Sequence, residues 1–213
     1  MQIIRRTDDG DGTMSLASIA MSYASPTSPF PAVRSASLAV VAGATWVLAV
    51  TLVATQADTD PVGAAYDDAN RVVTLAVALL AASAVVAWRD HRGRARLAAV
   101  AGTALMLLGS ALEFVLLPLL GGRPDAMATR EGGETSALSS VGFGVFVVGS
   151  VVLLAACVAL AVALRGRTIV DRILVALTGP AVAAGTVLWA VSPAPAALAA
   201  CIAAAGWWRT VAD

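Results

Sequence analysis

Glu113 is the only ionisable residue other than cysteine inside any of the long apolar runs of this chain, and the chemistry the sequence could do starts there. A carboxylate near the middle of a membrane helix disfavours insertion by roughly 2.5–3.5 kcal/mol, so it calls for a partner or a task. Gly102, Met106, Gly109 and Ser110 precede it at spacings of eleven, seven, four and three, which places all of them on its helical face. Small residues on that face let another helix approach closely, so Glu113 is expected to look into a bundle, with Ser110 beside it as a polar neighbour. The run Ser140–Leu164 offers a matching stripe, because Gly142, Gly149 and Ala156 recur every seven residues. Two roles are open to the carboxyl: a structural group bonded to a nearby Ser or Thr, which is the expectation, and a proton- or solute-coupling group. Pro118, just over a turn further on, frees a backbone carbonyl and accompanies either role.

Other chemistry is excluded by residues that are missing or misplaced. There is no Lys for a retinal Schiff base. The single His, His91, lies in the arginine-rich turn Trp88-Arg89-Asp90-His91-Arg92 and reads as a solvated loop residue, so haem, an intramembrane metal and a Ser/His protease lack their ligand or base. No run carries the row of arginines of a voltage sensor. Cys157 and Cys201 fall at different depths along their runs, too far apart to pair, and both read as small core residues. The stretch starting Asp58-Thr59-Asp60-Pro61-Val62-Gly63 begins like a calcium loop. It then has Val62 at its fifth position and Ala69 at its twelfth, so a solvated acidic loop is expected. No cofactor and no metal are expected.

The elements that must carry Glu113 emerge from composition. Apolar and aromatic residues make up 59% of the 213 residues and charged ones 13%, about half the roughly 25% of a soluble domain, so a soluble fold would have no face left for water. A helix needs about 20 apolar residues to cross a core of about 30 Å. Runs near that length predict an all-α, polytopic transmembrane helix bundle of six spans: Ala36–Thr55, Val72–Trp88, Leu97–Leu120, Ser140–Leu164, Ile173–Val191 and Ala194–Trp208. The last is the weakest, at 15 residues or about 22 Å, and Ser192-Pro193-Ala194-Pro195 before it reads as a tight hairpin turn. Residues 35–209 thus form the membrane domain, between a disordered N-terminal tail, 1–34, and a short C-terminal tail, 210–213.

Eleven of the fourteen arginines cluster on one side: Arg5, Arg6, Arg34, Arg89, Arg92, Arg94, Arg96, Arg165, Arg167, Arg172 and Arg209. The other side has Arg71, Arg123 and Arg130 with seven acids: Asp58, Asp60, Asp67, Asp68, Asp125, Glu131 and Glu134. Arginine resists translocation, so both termini are expected in the cytoplasm (N-in/C-in). Trp88, Trp207 and Trp208 at one end and Trp189 at the other suit headgroup anchors, whereas Trp46, mid-span, does not. With a net charge of zero, no field draws nucleic acid.

Leu108-Gly109-Ser110-Ala111-Leu112-Glu113-Phe114, with Ala65-Tyr66-Asp67-Asp68-Ala69-Asn70-Arg71, resembles small multipass membrane proteins of high-GC bacteria that have no assigned activity. The resemblance covers spans two to four and implies no chemistry beyond a recurrent place for Glu113. The expected protein is a non-enzymatic structural or accessory component of the bacterial inner membrane. Its partners are the lipid bilayer and, through the Gly/Ala faces, a second copy or another membrane protein. The alternative is a small proton-coupled transporter or permease using Glu113. A water-filled cavity reaching Glu113 would favour the transporter, and a tightly packed Gly/Ala seam the accessory role.

Overall fold

The computed structural model describes residues 30–59, 64–122, 136–188 and 192–211, and these are helices and tight turns without a strand. Six helices run in order: α1 Phe30–Thr59, α2 Ala64–Asp90, α3 Arg94–Ala111, α4 Ala137–Ala163, α5 Ile169–Leu188 and α6 Pro193–Val211. α3 runs on through a π-helical turn, Leu112–Leu116, into Leu117–Leu119. Five of the helices, α1 to α5 with the extension of α3, are long and apolar enough to cross a membrane. The chain is therefore a multi-pass membrane protein built entirely of helices in its described part.

Sequence neighbours are spatial neighbours. The helices form a ring in which each packs on the next and α6 closes on α1. One end of the ring, the arginine-rich end, carries the turns after α2 and α4, with exposed Arg89, Arg92, Arg94 and Arg165. His91 is exposed at the first of these turns, where its carbonyl accepts from Arg96 Nη1 at 3.2 Å.

The helices run past the charge-free stretches in the sequence. α1 starts at Phe30, so residues 30–34 of the expected tail are helical, while residues 1–29 lie outside the described part. α2 starts at Ala64 rather than Val72, which puts the second half of the supposed acidic loop into its first turns. Asp67 there suits the helix N-terminus, and Arg71 bonds Asp68 at 2.7 Å one turn back. α5 starts at Ile169, because the Thr168 hydroxyl accepts from the Asp171 N–H at 3.2 Å and donates to the Asp171 carboxylate at 2.8 Å. α6 has 19 residues, which is about 28 Å at 1.5 Å each. Pro193 and Pro195 form its first turn, where a missing N–H is tolerated, and not the hairpin expected of them. Charge marks where a helix meets the headgroups; it does not end the helix.

The half of the ring at the arginine-rich end is closed by direct bonds. Trp207 is buried and its Nε1–H donates to Ser83 Oγ at 2.8 Å, which ties α6 to α2. The Ser83 hydroxyl donates in turn to the Leu80 carbonyl at 2.7 Å. Arg209 pairs with Asp171 at 3.2 Å across α6 and α5, and Arg172 Nε reaches the Ala161 carbonyl of α4 at 3.0 Å. Gly206 lies against Leu174 and Thr178, and Gly179 lies against the Leu154 backbone, so α5 approaches both of its neighbours closely. Trp207 is thus a core residue and no headgroup anchor, whereas Trp88 carries Arg92 over its ring at 5.8 Å; Trp189 lies outside the described residues. Cys157 is buried, as a small core residue is, but Cys201 is exposed on the outer face of α6.

Candidate functional site

α3 and α4 form the tightest pair of the ring, and glycine is the reason. A Cβ added at Gly102 would stand 2.7 Å from the Leu153 amide nitrogen, one at Gly149 would stand 2.6 Å from that of Met106, and one at Gly142 would stand 2.9 Å from the Gly109 carbonyl oxygen. Real Cβ atoms do not come so close, so at Gly102, Gly109, Gly142 and Gly149 the two backbones touch where any side chain would part them. Ala156 continues the stripe and is buried. These faces meet each other within one chain, so the face expected to receive a second copy is already occupied.

The seam delivers Glu113 to α4. The carboxyl is buried, and Ser139 Oγ donates to its Oε1 at 3.1 Å. Ser110, one turn earlier, turns to the other side of α3 and shares a 2.6 Å hydrogen bond with Thr74 of α2. Thr74 also donates to the Asn70 carbonyl at 3.2 Å, and Asn70 Nδ2 donates to the Tyr66 carbonyl at 3.0 Å. Ser110 and Glu113 therefore link α3 to both its neighbours. Between hydroxyls and a carboxyl in an apolar surround, such bonds replace those that water would make.

Glu113 sits in the π-helical turn. Pro118 has no N–H to offer the Phe114 carbonyl, and the Leu117 N–H reaches back five residues to the Leu112 carbonyl. The extra residue in this turn rotates the end of the helix, Leu117–Leu119, relative to the seam. Sequence spacing that assumes 3.6 residues per turn places Glu113 on the Gly109 face correctly, but it carries no signal for the wider turn beyond Pro118 itself.

The other feature of this half is a cavity of about 320 Å³. α1 contributes Trp46, Val50 and Val53; α2 contributes Tyr66, Asn70 and Val73; α3 contributes Ser110, Glu113 and Phe114. α4 supplies Phe143, Phe146, Val147, Ser150, Val151 and Leu154, and α5 supplies Ala183, Gly185, Thr186 and Val187. The wall is mostly apolar, with a few polar groups set into it, which is the make-up of small-molecule sites. Both residues expected to form a polar site, Glu113 and Ser110, line it. The seam glycines do not; they form its support.

Trp46 fits no headgroup by its place mid-span, and the structure gives that position a meaning. It is buried, yet its Nε1–H has no hydrogen-bond partner among the described residues. Gly185 stands beside it: a Cβ there would lie 3.9 Å from Trp46 Nε1, in ordinary van der Waals contact. Ser150 and Thr186 spend their protons on the Phe146 and Ala183 carbonyls, at 3.0 and 2.7 Å, and so face the cavity as acceptors. None of Trp46, Gly185, Ser150 or Thr186 is legible as a site residue from spacing, since each comes from a different place on α1, α4 or α5. Phe143, Val151 and Val187 line the cavity and are also 60%, 60% and 66% exposed, so it opens sideways between α4 and α5. Compared with protein-family models, with curated proteins and with solved structures, the chain matches none.

Proposed function

We propose that the chain is a six-crossing protein of the bacterial inner membrane, N-in and C-in, that acts as a small proton-coupled transporter or permease, with the Glu113 cavity as its solute site. The cavity is the observation that carries this reading. The hollow, about 320 Å³, is of the size of small-molecule sites, is mostly apolar, opens between α4 and α5, and has the Glu113 carboxyl in its wall. A purely structural component has no use for such a hollow, whereas a permease needs a place for its solute. Among the described residues of the wall Glu113 is the one charge-bearing side chain, which suits it to couple solute to proton.

Six crossings are supported by the length of α6 and by its place in the ring between α5 and α1. The orientation rests on the arginine distribution. The accessory reading draws support from the α3–α4 glycine seam, but close packing serves the folding of a permease equally well. No enzymatic step belongs to the proposal.

Proteoliposomes with a trapped pH dye test it. Addition of organic solutes across a panel of neutral, anionic and cationic compounds moves protons in the wild type for one class, and Glu113→Gln, still folded, does not. A Glu113→Gln protein that retains proton-linked flux, or a wild type that moves none with any class, returns the chain to the accessory role. Cysteines introduced at Thr59 and Thr129 are labelled from outside by an impermeant maleimide, and one at Gly93 only after permeabilisation; external labelling at Gly93 reverses the orientation.

A further inference from the structure

We propose that the cavity takes a single-chain amphiphile from the bilayer, admitted sideways between α4 and α5, with its hydroxyl-bearing head at the level of Glu113 and its alkyl chain running down beside α4. This rests on the cavity being a solute site and adds the chemical class of the solute.

Shape is the first argument. The wall follows α4 from Phe143 to Leu154, which is about 16 Å of helix. A volume of about 320 Å³ over that length leaves a mean cross-section of about 20 Å². That is the width of one extended alkyl chain, and less than that of a fused ring system or of two chains side by side.

Polarity is the second. Counted from the arginine-rich ends of their helices, Ser110, Thr186 and Glu113 stand at about 24–29 Å, whereas Val151 and Leu154 stand at about 18 and 14 Å. Tyr66 and Asn70, in the first two turns of α2, belong to the far level as well. Nearer the arginines the wall is Ala183, Val151 and Leu154, with Ser150, whose proton is engaged on the Phe146 carbonyl at 3.0 Å. The cavity therefore has a polar end and an apolar end along one axis. A compact polar solute would leave the apolar end unfilled, and a plain hydrocarbon would set a carboxyl and hydroxyls against alkyl groups; an amphiphile suits both. Thr186, whose proton goes to the Ala183 carbonyl at 2.7 Å, keeps an oxygen that accepts from a hydroxyl on the head.

Access is the third. The exposed Phe143, Val151 and Val187 frame the opening on two helices that are long and apolar enough to cross a membrane. The opening thus faces hydrocarbon, where an amphiphile already lies with its chain along the helices, while a water-borne polar solute would have to give up its hydration to reach it.

Trp46 serves as the reporter: it lines the cavity, is 1% exposed, and its Nε1 lies beside Gly185, next to Thr186, where head and chain would join. The test uses a monoacylglycerol with a 6,7-dibromostearoyl chain and a phosphatidylcholine carrying the same chain, because bromine quenches indole emission at close range. The full chain is placed in lipid nanodiscs at equal bromine content, and the Trp46 emission is taken as the difference between wild type and Trp46→Phe. The monoacylglycerol quenches it severalfold more than the phosphatidylcholine does. Equal quenching by the two overturns the single-chain assignment, and quenching by neither overturns the chain site. Ala183→Phe, which fills the apolar end, loses the excess while thermal unfolding shows it folded. An excess retained in the folded variant overturns the placement, and the wild-type comparison decides by itself if the variant does not fold. A wild type that moves protons with another solute but shows no Trp46 quenching overturns this inference alone. One that takes up the chain yet moves no protons with any solute, this amphiphile included, overturns the transporter reading and leaves the site standing.

Discussion

Two tryptophans divide the molecule. At the arginine-rich end Trp207 fills the space between α6 and α2, its indole N–H bonded to Ser83, with the Asp171–Arg209 pair close by on α5 and α6. In the other half Trp46 is as deeply buried and lines the cavity, but its N–H meets no acceptor among the described residues. The same side chain closes one half and lines the other. Burial by itself does not distinguish a structural tryptophan from one that waits for a ligand; the state of its single donor does.

The largest effect is expected where neither half can yield. Gly149→Leu or Gly102→Leu forces α3 and α4 apart, since an added Cβ alone would stand 2.6 or 2.7 Å from the facing backbone, and should destabilise the bundle by about 3 kcal/mol or more, read as a fall in unfolding temperature or failure to purify from detergent. Unchanged thermal stability in both variants would mean that the seam is not where the chain places it.

Next comes the contrast itself. Trp207→Phe leaves Ser83 with one partner fewer and a small void, and should cost about 1–3 kcal/mol in denaturant unfolding, while Trp46→Phe, with no bond to lose, should cost less than about 1 kcal/mol. Equal losses in the two variants would erase the distinction between the halves.

Filling the cavity is milder. Gly185→Ala adds a methyl in ordinary contact with Val50 and Trp46, so unfolding temperature should hold or rise, by up to about 1 kcal/mol in stability. A marked fall in stability would show that Gly185 packs more tightly on α1 than its contacts place it.

The smallest effect is at the surface of the closed half. Arg209→Gln removes the pair with Asp171, but Arg209 is 44% exposed and the pair is screened, so a change under about 1 kcal/mol is expected in the same unfolding assay.

Much of the scaffold was legible in the sequence because membrane insertion is read residue by residue. Runs without charge located the helices, and heptad glycines located the α3–α4 seam, since both are periodic signals along one helix. Glu113 and Ser110 stood out for a related reason: a polar residue in an apolar run is an anomaly wherever the partner lies. What could not be read were features that exist only between helices. Gly179 and Gly206 belong to no repeat, yet each seats a neighbouring helix. Trp207 at a helix end suits a headgroup anchor by position, and only the place of α2 beside it makes it core. The cavity draws its wall from five helices, and no single run of sequence carries its outline.

The two indole N–H groups also provide the most direct test. With 15N-tryptophan labelling in nanodiscs, and the signals assigned from Trp46→Phe and Trp207→Phe, the resonances are tracked as a solute that moves protons in the proteoliposome assay is added. The Trp46 Nε1–H signal should move progressively and to saturation as it gains an acceptor, while the Trp207 signal, already bonded to Ser83, stays in place. Movement of Trp207 to the same extent, or a Trp46 signal that does not respond, would contradict the assignment of the binding site to the Glu113 half of the bundle.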